Sequence, residues 1–149
     1  MNPPLRSESD RLALIEGVAD GTITAIATDH APHTGTAKLV EFDDAPFGII
    51  GLETALPVVY TELCVKHGVP LATLAARFTT GPAEILGIRD YSLAVGRTAD
   101  LTVFDPEAKY RIDASKFRSN SRNTPFDGRE VQCRVAATMV SGKLVFDEL

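Results

Sequence analysis

One short stretch of the sequence brings together three side chains that can bind a metal or move a proton. Asp29, His30 and His33 follow a β-branched run at 22–27, and such a run predicts a buried strand. Pro32 ends that strand, so the acid and the imidazoles sit at its C-terminal end. In α/β barrels this end of a strand carries the catalytic groups. The stretch therefore indicates one corner of a metal site or of an acid–base site.

The spacing alone leaves two interpretations of this stretch open. Asp29 could ligate a divalent cation through oxygen or act as a general base, and His33 could ligate a metal or hold an anionic substrate. Alternatively, Asp29 caps the following loop and both histidines bond to backbone groups. The third histidine, His67, is expected at a helix C-terminus. The spacing therefore supports one metal ligand at most, whereas a zinc site needs three or four.

Composition excludes several classes of function. The 149 residues are 44% hydrophobic and 23% charged, which is typical of a soluble globular protein. The net charge of −5 argues against a general affinity for nucleic acid or for an anionic membrane. No apolar run reaches the roughly 18 residues of a membrane-spanning helix, and no signal peptide is visible. Cys64 and Cys133 form no CxxC pair, which favours reduced thiols in a cytoplasmic protein.

The predicted elements divide the chain into an α/β part and a mainly β part. A sequence resembling a capping box at Ser7–Asp10 begins the first helix. Helices are predicted at 8–19, 52–67, 70–78 and 81–87, and residues 30–50 form a long connection. Strands are predicted at 101–104, 110–113, 131–140 and 143–146, the last two joined by a hairpin turn at Ser141-Gly142.

Further candidate binding residues lie outside the first stretch. The amide of Asn2, fixed before two prolines, is a preorganised donor and acceptor for a small polar ligand, or belongs to a stiff entry segment. Phe47 and Gly48 could offer backbone groups to a ligand, because glycine permits close approach, or could form a simple turn. The acidic residues before them are expected to form a solvated loop face: Glu41, Asp43 and Asp44.

Read together, these segments resemble the dihydroorotases of the cyclic amidohydrolase family. The resembling segments are residues 2–6, 27–33, 42–54, 81–83, 96–101 and 123–126. The resemblance covers essentially the whole chain in order. The Asp-His-Ala-Pro-His block at 29–33 is specific to dihydroorotases, whereas hydantoinases and allantoinases usually replace the second histidine.

The resemblance implies a fold of which this chain is only a part. The family has a metal-dependent (β/α)8 TIM barrel and a small β-sandwich. Residues 1–90 would be the last βα part of the barrel, and residues 91–149 the C-terminal portion of the sandwich. A barrel needs about 200 residues or more, so we expect an incomplete fold that exposes apolar surface and self-associates. The family's HxH pair, its bridging lysine or acid, two further metal histidines and an arginine for the substrate carboxylate have no counterpart here.

The resemblance also implies roles for individual residues in the complete enzyme. That enzyme would use one or two zinc ions to hydrolyse the cyclic amide of L-dihydroorotate, reversibly, to N-carbamoyl-L-aspartate in pyrimidine synthesis. Asp29 would be a metal ligand and the catalytic proton shuttle. Asn2 and His33 would bind the substrate, with His33 at its carboxylate, while Phe47 and Gly48 would contact the ring through their backbone. His30 would be structural.

Three functions follow from this resemblance, and each implies different partners. The first is a dihydroorotase fragment that retains no zinc and is inactive alone, with a small-molecule substrate and the possibility of a homo-oligomer. The second is a non-catalytic scaffold for aspartate carbamoyltransferase, against which the intact Asp29 and His33 argue. The third is a fragment of a hydantoinase or an allantoinase. None of the three involves nucleic acid or a membrane.

Overall fold

The computed structural model describes residues 3–89 and 92–149 of the chain. The α-helices are α1 (Glu8–Asp20), α2 (Gly35–Lys38), α3 (Ala55–Val59), α4 (Leu71–Phe78) and α5 (Thr80–Ile85). A π-helical segment (Tyr60–Lys66) continues α3, and a single 3-10 turn covers Ala114–Lys116. The strands are β1 (Leu101–Arg111), β2 (Glu130–Val140) and β3 (Lys143–Asp147). Within the described residues, no helix combines the length and the apolar character needed to cross a membrane.

The first helix begins and ends as its sequence predicts. Ser7 Oγ accepts a hydrogen bond from Asp10 N (3.3 Å), and Ser7 N donates to Asp10 Oδ2 (3.1 Å). This reciprocal pair is a capping box, which satisfies two backbone donors that a helix start leaves open. Gly21, at φ 98°, ends the helix in a left-handed conformation.

The strand predicted at 22–27 was wrong. Two of its amides bond outside any ladder: Ile23 N donates to a carbonyl of α1 (2.8 Å), and Ile26 N to a carbonyl of α4 (3.0 Å). A strand exists only through lateral partners, and near this segment the described residues form one isolated parallel bridge, between His30 and Ile49. The expected burial is found only in part, because Ile23 and Ile26 are half-buried against the core, whereas Thr22, Thr24 and Ala27 are exposed.

The helix predicted at 52–67 is shorter and changes type within its length. It begins at Ala55, and Pro57 lies in its first turn, where a missing N–H costs nothing. From Tyr60 onward the turns are π-helical. Thr61 Oγ1 donates to Pro57 O (2.7 Å) and accepts from Gln132 N of β2 (2.8 Å). The segment is therefore tied directly to the sheet.

The three strands form one antiparallel sheet in the order β1-β2-β3. β1 is continuous where two strands, 101–104 and 110–113, were predicted, because bulges absorb Asp105-Pro106 without ending the strand. Proline is tolerated at a bulge, where a ladder bond is not required. The predicted hairpin between β2 and β3 is confirmed. Its central residues, Ser141 and Gly142, have φ values of 50° and 76°, the positive values that a type I′ turn needs.

A single hydrophobic core joins the helices to the sheet. Leu74 of α4 and Cys133 of β2 are both fully buried. The buried cluster consists of Val18, Tyr60, Leu63, Val69, Leu74 and Cys133. Large apolar side chains nevertheless stay exposed at the surface, including Phe42 (93%) and Val95 (106%). The apolar surface expected from the sequence is thus present, and self-association remains a prediction.

We expect Gly81→Ala to destabilise the chain by about 3 kcal/mol or more, because overpacking a rigid backbone contact is among the most costly substitutions. A Cβ at Gly81 would lie 1.8 Å from the Thr24 carbonyl oxygen. Urea unfolding measures the loss. Gly35→Ala is the matched control, since nothing lies within 4 Å of a Cβ there. Equal midpoints for the two variants would contradict this contact.

Burial raises the pKa of the Cys133 thiol from 9.0 to about 11, so the folded chain holds a proton that the unfolded chain releases earlier. That stabilisation is complete below pH 9 and is lost as the pH rises towards 11. We expect the free energy of unfolding, measured by urea titration across this range, to fall more steeply for the natural chain than for Cys133→Ala. Burial also raises the pKa values of Cys64, Tyr60 and Tyr110, but these residues are present in both proteins. Parallel curves would contradict the assignment to the thiol.

Candidate functional site

Asp29 has an unusual backbone conformation at the point where the chain leaves the core. Its φ is +42°, and its side chain is exposed to solvent. Aspartate tolerates the left-handed region better than most residues, because its short polar side chain can bond locally. Conformations of this kind concentrate at functional sites. The structure therefore presents the Asp29 carboxylate outward rather than using it to fill the core.

His33 lies against the loop that contains Phe47 and Gly48. His33 Nε2 is 2.8 Å from Phe47 O. A carbonyl oxygen can only accept, so Nε2 carries the proton in this contact and, in the neutral ring, Nδ1 is left as an acceptor. The structure thus brings together His33, Phe47 and Gly48, three of the residues that the sequence predicts to bind substrate. Their role in binding stays a prediction.

His30 holds the backbone at the start of the next helix. Its Nδ1 accepts hydrogen bonds from Gly51 N (3.1 Å) and Leu52 N (3.3 Å). These amides lie in the turn that leads into α3, so His30 fixes the backbone of that turn. An imidazole whose Nδ1 accepts two amides carries its neutral-state proton on Nε2. His30 therefore has the structural role expected of it.

The carbonyl of Gly48 receives two donors from distant parts of the chain. Lys38 Nζ donates to it at 2.9 Å and also bonds Pro46 O. Asn123 Nδ2 donates to it at 3.3 Å and to Ala31 O at 2.9 Å. A carbonyl oxygen has two lone pairs, so both donors can be accommodated at once.

Asn123 also bonds the His33 stretch and the backbone beyond the Gly48 loop. Its Oδ1 accepts from His33 N (3.3 Å), and its backbone carbonyl accepts from Ile50 N (3.1 Å). A second, direct link joins the same two segments, because Ala31 N donates to Ile49 O (2.9 Å). The segment around Asn123 therefore fastens the two loops of the candidate site to each other.

Only glycine fits at position 48. Its φ is +105°, and a Cβ there would lie 2.5 Å from Ala31 Cβ. The backbone of this loop thus approaches the Asp29–His33 stretch more closely than any side chain would permit.

Sequence reasoning missed Lys38 and Asn123. Lys38 stands in a connection where no helix was predicted, although α2 ends at that residue. Asn123 belongs to a segment that carried the family resemblance, but no role followed from its type. In the sequence, Asn123 is an amide side chain just before Thr-Pro, and Lys38 is a lysine between two loops. Neither pattern identifies a hydrogen-bond partner.

The described residues do not assemble a metal centre. Residues 3–89 and 92–149 contain no group of three or more His, Cys, Asp or Glu side chains that could hold a metal ion. The role of Asp29 as a metal ligand therefore stays a prediction. The predicted substrate residue Asn2 lies outside the described residues. Three acidic side chains are exposed on the loop before Phe47, as expected: Glu41, Asp43 and Asp44.

A groove of about 620 Å³ runs between the region before α3 and the sheet, but it is separate from this site. None of Asp29, His33, Phe47 or Gly48 lines it. Its cationic side chains are already engaged in ion pairs or on aromatic rings: Arg111 with Glu130, Lys116 with Asp113, Arg118 over Phe146 and Arg134 over Tyr110. Each of these four cationic side chains therefore already has a partner within the chain.

Comparison with known proteins gives the same family throughout. The model of the amidohydrolase family matches residues 2–145. A dihydroorotase of Desulforapulum autotrophicum is 52% identical over 146 residues, which are 98% of this chain and 34% of that protein. A dihydroorotase of Pelotomaculum thermopropionicum is 47% identical over 148 residues, which are 99% of this chain and 35% of that protein. The chain thus spans about a third of the length of these curated relatives.

Solved structures share the fold over nearly the whole chain. A D-hydantoinase (dihydropyrimidinase) from Thermus sp. superposes with a TM-score of 0.91 at 28% identity, covering 99% of this chain and 33% of that one. An L-hydantoinase (dihydropyrimidinase) from Arthrobacter aurescens gives 0.90 at 34% identity, covering 98% and 34%. The expected fold class is confirmed: a C-terminal part of an amidohydrolase TIM barrel with a small antiparallel sheet.

We expect His30→Ala to destabilise the chain by about 1–3 kcal/mol, because two amides lose their acceptor. His30→Asn should retain most of the stability, since the Asn side-chain oxygen can accept in place of Nδ1. Urea unfolding of the two variants measures the difference. Identical losses would show that the acceptor is not what His30 contributes.

Proposed function

Since the chain belongs to the amidohydrolase family, we propose that it is the C-terminal part of a dihydroorotase, which hydrolyses the cyclic amide of L-dihydroorotate to N-carbamoyl-L-aspartate. The observation that carries this proposal is the identity of 47–52% to curated dihydroorotases over almost the whole chain. The hydantoinases that share the fold are 22–34% identical. The dihydroorotase assignment is therefore favoured over the hydantoinase one.

The contact between His33 and the Phe47–Gly48 loop supports this substrate. A ring with a carboxylate needs a donor for the carboxylate and backbone groups for the ring amide. His33 Nε2 donates to Phe47 O at 2.8 Å, so it can donate to a substrate carboxylate when that anion replaces the Phe47 carbonyl as the acceptor. We propose that His33 holds the substrate carboxylate, that Asn2 also binds the substrate, and that the Phe47 and Gly48 backbone contacts the ring.

Asp29 is proposed to move the proton in the reaction. Hydrolysis forms a C–O bond from water to the ring carbonyl carbon and breaks the C–N bond of the cyclic amide. Asp29 accepts a proton from the attacking oxygen and returns it to the leaving nitrogen. An exposed carboxylate on a fixed backbone suits this exchange. In the complete protein we propose zinc as the cofactor and Asp29 as the ligand that this chain contributes.

The substrate class, the location and the partners are proposed in general terms only. A small-molecule substrate and a cytoplasmic location are consistent with the dihydroorotase relatives. An assembly with aspartate carbamoyltransferase or with further copies of the chain would be additional to catalysis. The alternative of a non-catalytic scaffold for the transferase is kept as an outcome of the test.

A completed enzyme tests the proposal: the upstream two thirds of the Desulforapulum dihydroorotase followed by this chain. We expect it to bind zinc and to turn over dihydroorotate in preference to hydantoin or allantoin. Asp29→Asn should lower kcat about 100-fold or more, the usual scale of a lost general base. Asp44→Asn, a change at an exposed loop carboxylate, is the matched control and should leave kcat unchanged.

Two results would contradict the proposal. Preference for hydantoin or allantoin would favour the hydantoinase or allantoinase alternative. A folded, zinc-loaded protein without turnover that co-purifies with aspartate carbamoyltransferase would favour the scaffold.

A further inference from the structure

We infer that Lys38 and Asn123 are positioning residues, which jointly fix the Gly48 carbonyl and so preset the Phe47–Gly48 backbone for substrate. This inference rests on the proposed function, because it assigns a purpose to the loop that would contact the ring. Both side chains bond the same oxygen, at 2.9 Å from Lys38 Nζ and 3.3 Å from Asn123 Nδ2. Neither is proposed to touch the reacting atoms.

The two donors add a restraint to a loop that no helix or strand of the described residues contains. It is a connection without regular structure between α2 and α3, and its Phe47 side chain is 63% exposed. Gly48, in the left-handed region, loses more conformational freedom on ordering than any other residue type. A loop that becomes ordered only on binding weakens the affinity for the ligand, because the free energy of ordering the loop opposes binding. Two donors on one carbonyl remove that cost beforehand.

The two donors fix different degrees of freedom. Lys38 lies ten residues before Gly48 and also bonds Pro46 O, so it holds the loop to its own base. Asn123 lies 75 residues after Gly48 and bonds Ala31 O and His33 N as well. It therefore sets the distance between the loop and the imidazole proposed to hold the substrate carboxylate. Their joint effect is on the geometry of binding rather than on the chemical step.

Conservative substitutions distinguish the loss of a hydrogen-bond donor from the loss of side-chain volume. Asn123→Asp keeps the acceptor for His33 N but replaces both donated bonds with a carboxylate facing carbonyl oxygens, so it should be at least as damaging as Asn123→Ala. Lys38→Arg keeps a cationic donor, whereas Lys38→Met keeps the length of the side chain without the donor. Rescue by arginine and failure of methionine would mark the donor as the active feature.

In the completed enzyme described above, Lys38→Met and Asn123→Ala should each raise KM for dihydroorotate about tenfold, the scale of one hydrogen bond to or from a charged or fixed group. Each should leave kcat within about threefold, because a loss of uniform binding appears in KM alone. The double variant should raise KM by less than the product of the two single effects, since both donors share one acceptor.

Matched controls remove similar bonds elsewhere. Gln132→Ala deletes an amide that donates to Pro106 O at 2.7 Å, and Lys66→Met deletes a lysine paired with Glu62. These variants should leave KM unchanged even where the melting temperature falls. A KM for Asn123→Ala and Lys38→Met equal to that of the controls would overturn the inference and leave a purely structural role.

Hydrogen exchange on the 149-residue chain tests the inference without activity. The amide of Ala31 joins the two loops, and the amide of Ile50 bonds Asn123 O. Both amides should exchange about tenfold faster in Lys38→Met and in Asn123→Ala than in the controls. Unchanged exchange would also overturn the inference. A completed enzyme that is folded and zinc-loaded but inactive towards dihydroorotate would refute the proposed function. In that case the exchange result would still decide whether these two residues preset the loop.

Discussion

Burial of β2 against the helices is the constraint on which the remaining structure depends. Cys133 of β2 and Leu74 of α4 are completely removed from solvent in one cluster. Apolar burial on this scale is the dominant favourable term in folding. The bonds between Thr61 and Gln132 add a polar link at the same interface. Because the sheet is held in this way, the segment that leads into β2 has a defined place, and that segment contains Asn123.

The candidate site is consequently a product of the whole described chain rather than of one motif. The Asp29–His33 stretch supplies the chemical groups, and the Phe47–Gly48 loop supplies backbone. Their relative position is set by a side chain from the β part. The connection between β1 and β2 thus contributes to the geometry of the candidate site through the hydrogen bonds of Asn123.

Features that depend on local sequence could be predicted. The capping box at Ser7 and the turn at Ser141-Gly142 each follow from the backbone needs of neighbouring residues. The strand at 22–27 could not be predicted correctly, because pairing depends on partners elsewhere in the fold, and its β-branched residues report burial only. The π-helical turns after Tyr60 were missed, since they differ from α-helix by the choice of one carbonyl. Lys38 and Asn123 were missed for the same reason as the strand, because their partners are far away in the sequence.

The bonds of Asn123 also bear on the order in which the protein is made. Its partners at Ala31 and His33 precede it by 92 and 90 residues. During synthesis the N-terminal residues emerge first, and closing a loop of this length is opposed by chain entropy until the contact itself forms. The two loops of the site thus leave the ribosome long before the side chain that joins them. Their final arrangement therefore cannot form before Asn123 itself has been synthesised.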